Sequence, residues 1–75
     1  MEFTEGQLVL CTAGREKGKL MYVVKTDNKY VYLADGKERP LSKAKRKNPK
    51  HVKSVGKKAD KMLTDKMLRS LLREV

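Results

Sequence analysis

The chemistry written most strongly into this chain is phosphate binding. Lys43, Lys45, Arg46, Lys47, Lys50 and Lys53 put six cations into eleven positions, and no acid lies between Arg39 and Lys58. A solvated protein face usually mixes charge signs, so an unmixed run points to a polyanionic partner. If all six neutralised phosphates, log K would fall against log salt with a slope of about −4 to −5. A second candidate is the loop Ala13-Gly14-Arg15-Glu16-Lys17-Gly18. Gly14 and Gly18 are turn residues that let backbone N–H groups approach a phosphate, and Arg15, Lys17 and Lys19 add charge. His51 closes the basic run; it and Arg15 and Arg46 are types that stack on, or bond to, exposed bases and 2′-hydroxyls. Tyr22, Tyr30 and Tyr32 become stacking platforms wherever they face outward. Tyr30 or Tyr32 is the better placed, since a thin core claims most of the aromatic surface.

Other chemistries lack their parts. One histidine and one cysteine do not make a zinc site without further ligands. Cys11 lies in an apolar stretch and reads as a small buried hydrophobe. No Ser/His/acid set exists, and Glu2, Glu5, Glu16, Asp27, Asp35 and Glu38 are scattered, mostly in turns where they serve structure. The glycine loop lacks the Gly-Lys-Ser/Thr ending of a nucleotide-hydrolysing loop. The expectation is a non-enzyme without metal, cofactor or small-molecule substrate. Reversing Lys45, Arg46 and Lys47 to Glu is expected to abolish nucleic-acid binding and leave the fold intact, because none of the three is assigned to the core.

Composition sets the scale of what can hold these residues. The chain has 75 residues and a net charge of +10. That is one small domain with a thin core. Residues 1–36 are neutral overall, residues 37–58 carry +9 and residues 59–75 carry +1. So the excess is local, as an anion-binding face requires. The longest apolar runs, Leu20 to Val24 and Tyr30 to Ala34, have five residues; a membrane span needs about 20. The opening Met-Glu-Phe-Thr-Glu is acidic and lacks the basic head of a signal peptide, which points to the cytoplasm.

The elements follow from pattern. Gln7 to Thr12 and Lys19 to Thr26 read as strands. Asp27-Asn28 is a turn signal. Lys29 to Ala34 alternates, with Tyr30 and Tyr32 on one face and Val31 and Leu33 on the other. Asp35-Gly36 suggests a type I′ hairpin, with Gly36 at its turn and Lys37 to Leu41 returning as a strand that Pro40 confines to an edge. Residues 42–53 form the basic segment, where Asn48-Pro49 breaks any helix. A short fifth strand fits His51 to Val55, and Gly56-Lys57-Lys58 reads as a flexible joint. Met67, Leu68, Leu71, Leu72 and Val75 then make a helical stripe, with Thr64 as N-cap, Asp65 in the first turn and Leu63 stapling to Leu68. Met21, Met62 and Met67 read as packing residues. So short a helix must dock on something. Short strands with tight turns must hide their edges, so the expected fold is mainly β: a small SH3-like barrel of about five strands over residues 1–56, with residues 57–75 a linker and a C-terminal helix. An OB-fold is the alternative.

The stretch Gly6 to Val24, GQLVLCTAGREKGKLMYVV, resembles a KOW motif, with Gly18 in the place of the motif's glycine. The longer stretch Gly6 to His51, with its YVYLADG hairpin and basic end, resembles the large-subunit ribosomal protein family L-fourteen-e and its short bacterial KOW relatives. Met21 stands where elongation-factor KOW motifs carry a second glycine, which favours the ribosomal branch. The resemblance implies RNA as partner, ribosomal RNA and the large subunit in particular, met by the glycine loop and the basic segment ending at His51. Two alternatives stand beside it: a protein-interaction module using the barrel or the helix, and a non-specific DNA binder.

Overall fold

The computed structural model describes residues 3–59 and 63–74. The expected lead strands form: β1 (Gln7–Cys11), β2 (Leu20–Thr26) and β3 (Val31–Ala34). Two 3-10 turns (Leu41–Lys43 and Pro49–His51) flank β4 (Lys45–Lys47), and β5 (Val52–Lys58) and α1 (Asp65–Glu74) follow. All five strands pair antiparallel in one sheet of order β4-β3-β2-β1-β5. A flat sheet would hold the outermost strands about 19 Å apart. Yet residues 48–51 alone join β4 to β5, and three of them are in a 3-10 turn that advances only about 2 Å per residue. The sheet must therefore coil strongly, and the result is a small, open, mainly β domain consistent with an SH3-like barrel.

Period-2 alternation splits the apolar residues between two sides. Val9, Cys11, Met21, Val23, Val31, Leu33 and Val52 fill the inside of the curl. Leu8, Tyr22 and Ala34 lie on the other side and pack with Leu68 of α1, surrounded by half-buried Val24, Leu41, Val55, Leu71 and Leu72. The helix thus docks on the sheet of its own chain. Its Thr64 caps as expected, with Oγ1 accepting from the Met67 N–H at 3.2 Å. Leu63 packs in the same cluster as Leu68, as a staple requires. Met67 departs from expectation: it is 49% exposed.

The expected returning strand Lys37–Leu41 does not form. The Asp35 carboxylate accepts from the N–H groups of Lys37 and Arg39 at 2.8 and 2.9 Å, and the N–H groups of Asp35 and Gly36 both donate to the Arg39 carbonyl. This closes a compact loop instead of a hairpin ladder. Type I′ also needs positive φ at both central residues, and only Gly36 has it, at 79°. Gly36 has a further role. A Cβ there would lie 2.5 Å from the Asp65 carbonyl oxygen, so its missing side chain is the seat of α1. Arg69 Nη1 donates to the Gly36 carbonyl at 2.6 Å, and Asp65 Oδ1 accepts from the Leu41 N–H at 2.7 Å. These bonds fix the helix to the loop that replaced the strand.

The fourth strand lies instead inside the basic run, as Lys45–Lys47 on the free edge of β3. The fifth runs on through Gly56, Lys57 and Lys58, which are no flexible joint. A bulge accommodates Gly56 between the Val9–Ser54 and Gln7–Lys58 pairs.

Candidate nucleic-acid interface

Register decides which way each cation of β4 points. Lys45 stands opposite Leu33, Arg46 opposite Tyr32 and Lys47 opposite Val31. Partners in an antiparallel pair share a face. Lys45 and Lys47 therefore turn toward the inside of the curl, and Arg46 turns out.

The inward pair meets Glu16. Lys45 Nζ lies 2.9 Å from Glu16 Oε1 and Lys47 Nζ lies 3.3 Å from the same atom. Lys47 Nζ also donates to the Ala13 carbonyl at 2.8 Å. Lys47 and Glu16 are buried, at 7% and 8% exposure. The hydrogen bond from Lys45, helped by Lys47, holds the Glu16 carboxyl down to about 2, against the cost of its burial. Beneath this cluster, burial pushes the Cys11 thiol up, partly opposed by Lys47. Glu16 and its lysines clamp the 13–18 loop onto the edge strand. The expected triple reversal is thus corrected: Lys47 belongs to the interior, and Glu at 45 and 47 would face Glu16.

The loop itself is a folded turn. Gly14 and Gly18 have φ of 81° and 87°, as turn residues. The Gly18 N–H donates to the Cys11 carbonyl, Lys17 N–H to Gly14 and Lys19 N–H to Glu16. These three N–H groups are engaged in closing the turn. Of its basic side chains, Arg15 and Lys17 are exposed, whereas Lys19 bridges to Glu38 at 2.7 Å. The Thr12 N–H bonds to the His51 carbonyl at 2.8 Å, so the base of this loop and the Pro49–His51 turn are tied together.

Outside, Lys43, Arg46, Lys50, His51 and Lys53 are exposed. Among the described residues no carboxylate lies within ion-pair distance of Lys43, Arg46, Lys50 or Lys53. Asn48 fixes the turn that carries Lys50 and His51, its Oδ1 accepting from the Lys50 N–H at 2.9 Å. Arg46 lies over Tyr30, its Cζ 4.7 Å from the ring centroid. Tyr30 and Tyr32 are half-buried and Tyr22 is buried, so the two better-placed tyrosines are the ones that reach the surface.

No protein-family model matches the chain, and no curated protein matches it. The KOW resemblance therefore rests on the residues of Gly6–His51 alone. No group of three or more metal-ligating side chains assembles among the described residues, and no described helix is long and apolar enough to cross a membrane. Sequence reasoning missed Glu16 as counter-ion of the basic run and Arg46 as the lid of Tyr30. The i, i+2 spacing of Lys45 and Lys47 carried that signal once β4 was read as a strand.

Proposed function

We propose that the protein is a non-catalytic RNA-binding module. The carrying observation is the charge left over after internal pairing: Lys43, Arg46, Lys50 and Lys53 are exposed without a carboxylate partner among the described residues. Arg15, Lys17 and His51 stand exposed on the segments tied to them. Such a surface binds phosphates whatever the sequence of the nucleic acid. The resemblance of Gly6–His51 to the L-fourteen-e family makes ribosomal RNA the expected target, and the cytoplasm the expected place. Titrating the protein against a structured RNA and a DNA duplex at several salt concentrations tests this. The four unpaired cations of the run alone give a log–log slope near −3, and engagement of Arg15 and Lys17 steepens it toward −4 to −5. Equal affinity for the DNA duplex would overturn the preference for RNA.

A second reading has one observation in its favour. Met67 is 49% exposed, beside Leu63 and Leu71 in a groove along α1. That suits a protein partner. The same groove is also lined by Lys58, Lys66 and Glu74, and the larger unpaired cationic surface favours RNA.

A further inference from the structure

Resting on the RNA-binding reading, we propose that Tyr30, Arg46 and the Asp27–Lys29 turn form a seat for an unpaired RNA base. The Arg46 guanidinium covers Tyr30 with Cζ 4.7 Å from the ring centroid, and Lys25 Nζ sits 4.7 Å from the centroid of neighbouring Tyr32. Both distances lie within the range of a cation–π contact.

The support beneath them is a hydrogen-bonded turn. Asp27 Oδ1 accepts from the N–H groups of Lys29 and Tyr30 at 2.8 and 2.7 Å, and its Oδ2 accepts from the Tyr32 hydroxyl at 2.7 Å. Both carboxylate oxygens are thereby engaged inside the turn. These side chains and Asn28 line a shallow depression of about 300 Å³. The Asn28 amide makes no hydrogen bond among the described residues, so its donor and acceptor are open at the rim.

A phosphate contact needs only charge. A guanidinium laid on an aromatic ring keeps its other face and its edge N–H groups, which is what stacking on a base requires. Bases in a duplex are stacked and hidden, so the seat takes an unpaired base.

The test uses the full chain, with a short oligouridylate and a fully paired RNA duplex of the same length as probes. Arg46→Lys keeps the charge and removes the plane. The variant should bind oligouridylate about ten-fold more weakly and lose far less affinity for the duplex, since the charge that meets phosphate is kept. Since the protein has three tyrosines and no tryptophan, oligouridylate should quench part of the tyrosine emission, and Tyr30→Leu should remove most of that quenching. Equal loss for both probes, or no loss for either, overturns the seat and leaves the RNA-binding reading standing. A wild-type protein that binds neither probe overturns both. A wild-type protein that binds duplex alone overturns only the seat.

Discussion

The two sides of β4 obey different physics although their residues are neighbours in the sequence. On the inner side, Lys45 and Lys47 share the Glu16 carboxylate, and Lys47 is buried. On the outer side, Arg46 is exposed and lies on Tyr30. A buried cation with one good partner is fixed, and removing either member strands a charge away from water. An exposed cation is solvated, and its loss costs the fold little. A basic run is therefore not one site. The period of a strand sorts it into cations that hold the loop and cations that remain for a ligand.

Charge reversal on the inner side should break the molecule. Lys47→Glu sets a second carboxylate against Glu16, and the expected loss is about 3–5 kcal/mol. Domains of this kind hold only about 5–15 kcal/mol in total. Thermal unfolding of Lys47→Glu beside Arg46→Glu checks this: only the first should collapse the transition. If both melt like the parent, the inner and outer sides are not different.

Acid probes the same cluster more gently. Glu16 is held at about 2, against an ordinary 4.5. Its proton is taken up more readily by the unfolded chain, so the stabilisation is complete above pH 4.5 and is lost as pH falls toward 2. The contribution is on the order of 3 kcal/mol. Melting temperature should drop across that window, and Glu16→Gln should flatten most of the drop while lowering stability at neutral pH. Asp27 and Glu38 are also held low, by the Tyr32 hydroxyl and by Lys19 respectively, but both are exposed and steepen the fall little. An unaltered acid limb in Glu16→Gln would mean that the clamp is not what the acid opens.

The contrast also explains what the sequence could convey. The first three strands were legible because Leu8, Val9, Met21, Val23, Val31 and Leu33 alternate against water, and burial enforces that alternation locally. The helix was legible from its stripe and its Thr64 cap. β4 was not, because Lys45-Arg46-Lys47 has no hydropathy period. Its inner positions are satisfied by an acid 29 and 31 residues earlier in the chain. Asp35-Gly36 misled for a related reason. Asp35 caps Lys37 and Arg39 locally, and Gly36 makes room for a helix that arrives only at Asp65. The candidate binding residues were legible by type, and their division into paired and unpaired sets was a matter of tertiary contact.

A smaller effect tests whether the outer side has any built structure. Tyr32→Phe deletes the hydroxyl that donates to Asp27 Oδ2 at 2.7 Å. The cost to the fold should be small, because the bond is exposed to solvent. The Asp27 carboxyl should rise toward its ordinary value, since that hydroxyl is the largest cause of its depression. An NMR titration of the Asp27 carboxyl carbon reads the change directly. If it stays put, the two backbone N–H bonds to Oδ1 carry the turn without Tyr32.

The smallest expected effect on the fold is the most informative about the ligand. Lys43, Lys50 and Lys53 are exposed and unpaired among the described residues, so replacing all three with Gln should move stability by no more than about 0.5 kcal/mol. The same replacement should lower RNA affinity at modest salt and reduce the log–log salt slope by about 0.7 for each lysine that meets a phosphate. Urea unfolding and binding titrations on one preparation separate the two readouts. A stable triple variant with an unchanged slope would leave these lysines as solvated charge and move the contact to Arg15, Lys17 and Arg46. A destabilised triple variant would show that the outer side, too, is part of the fold. A stable one with a shallower slope sharpens the division that β4 makes, because the affected lysines are then those with no acid to hold them.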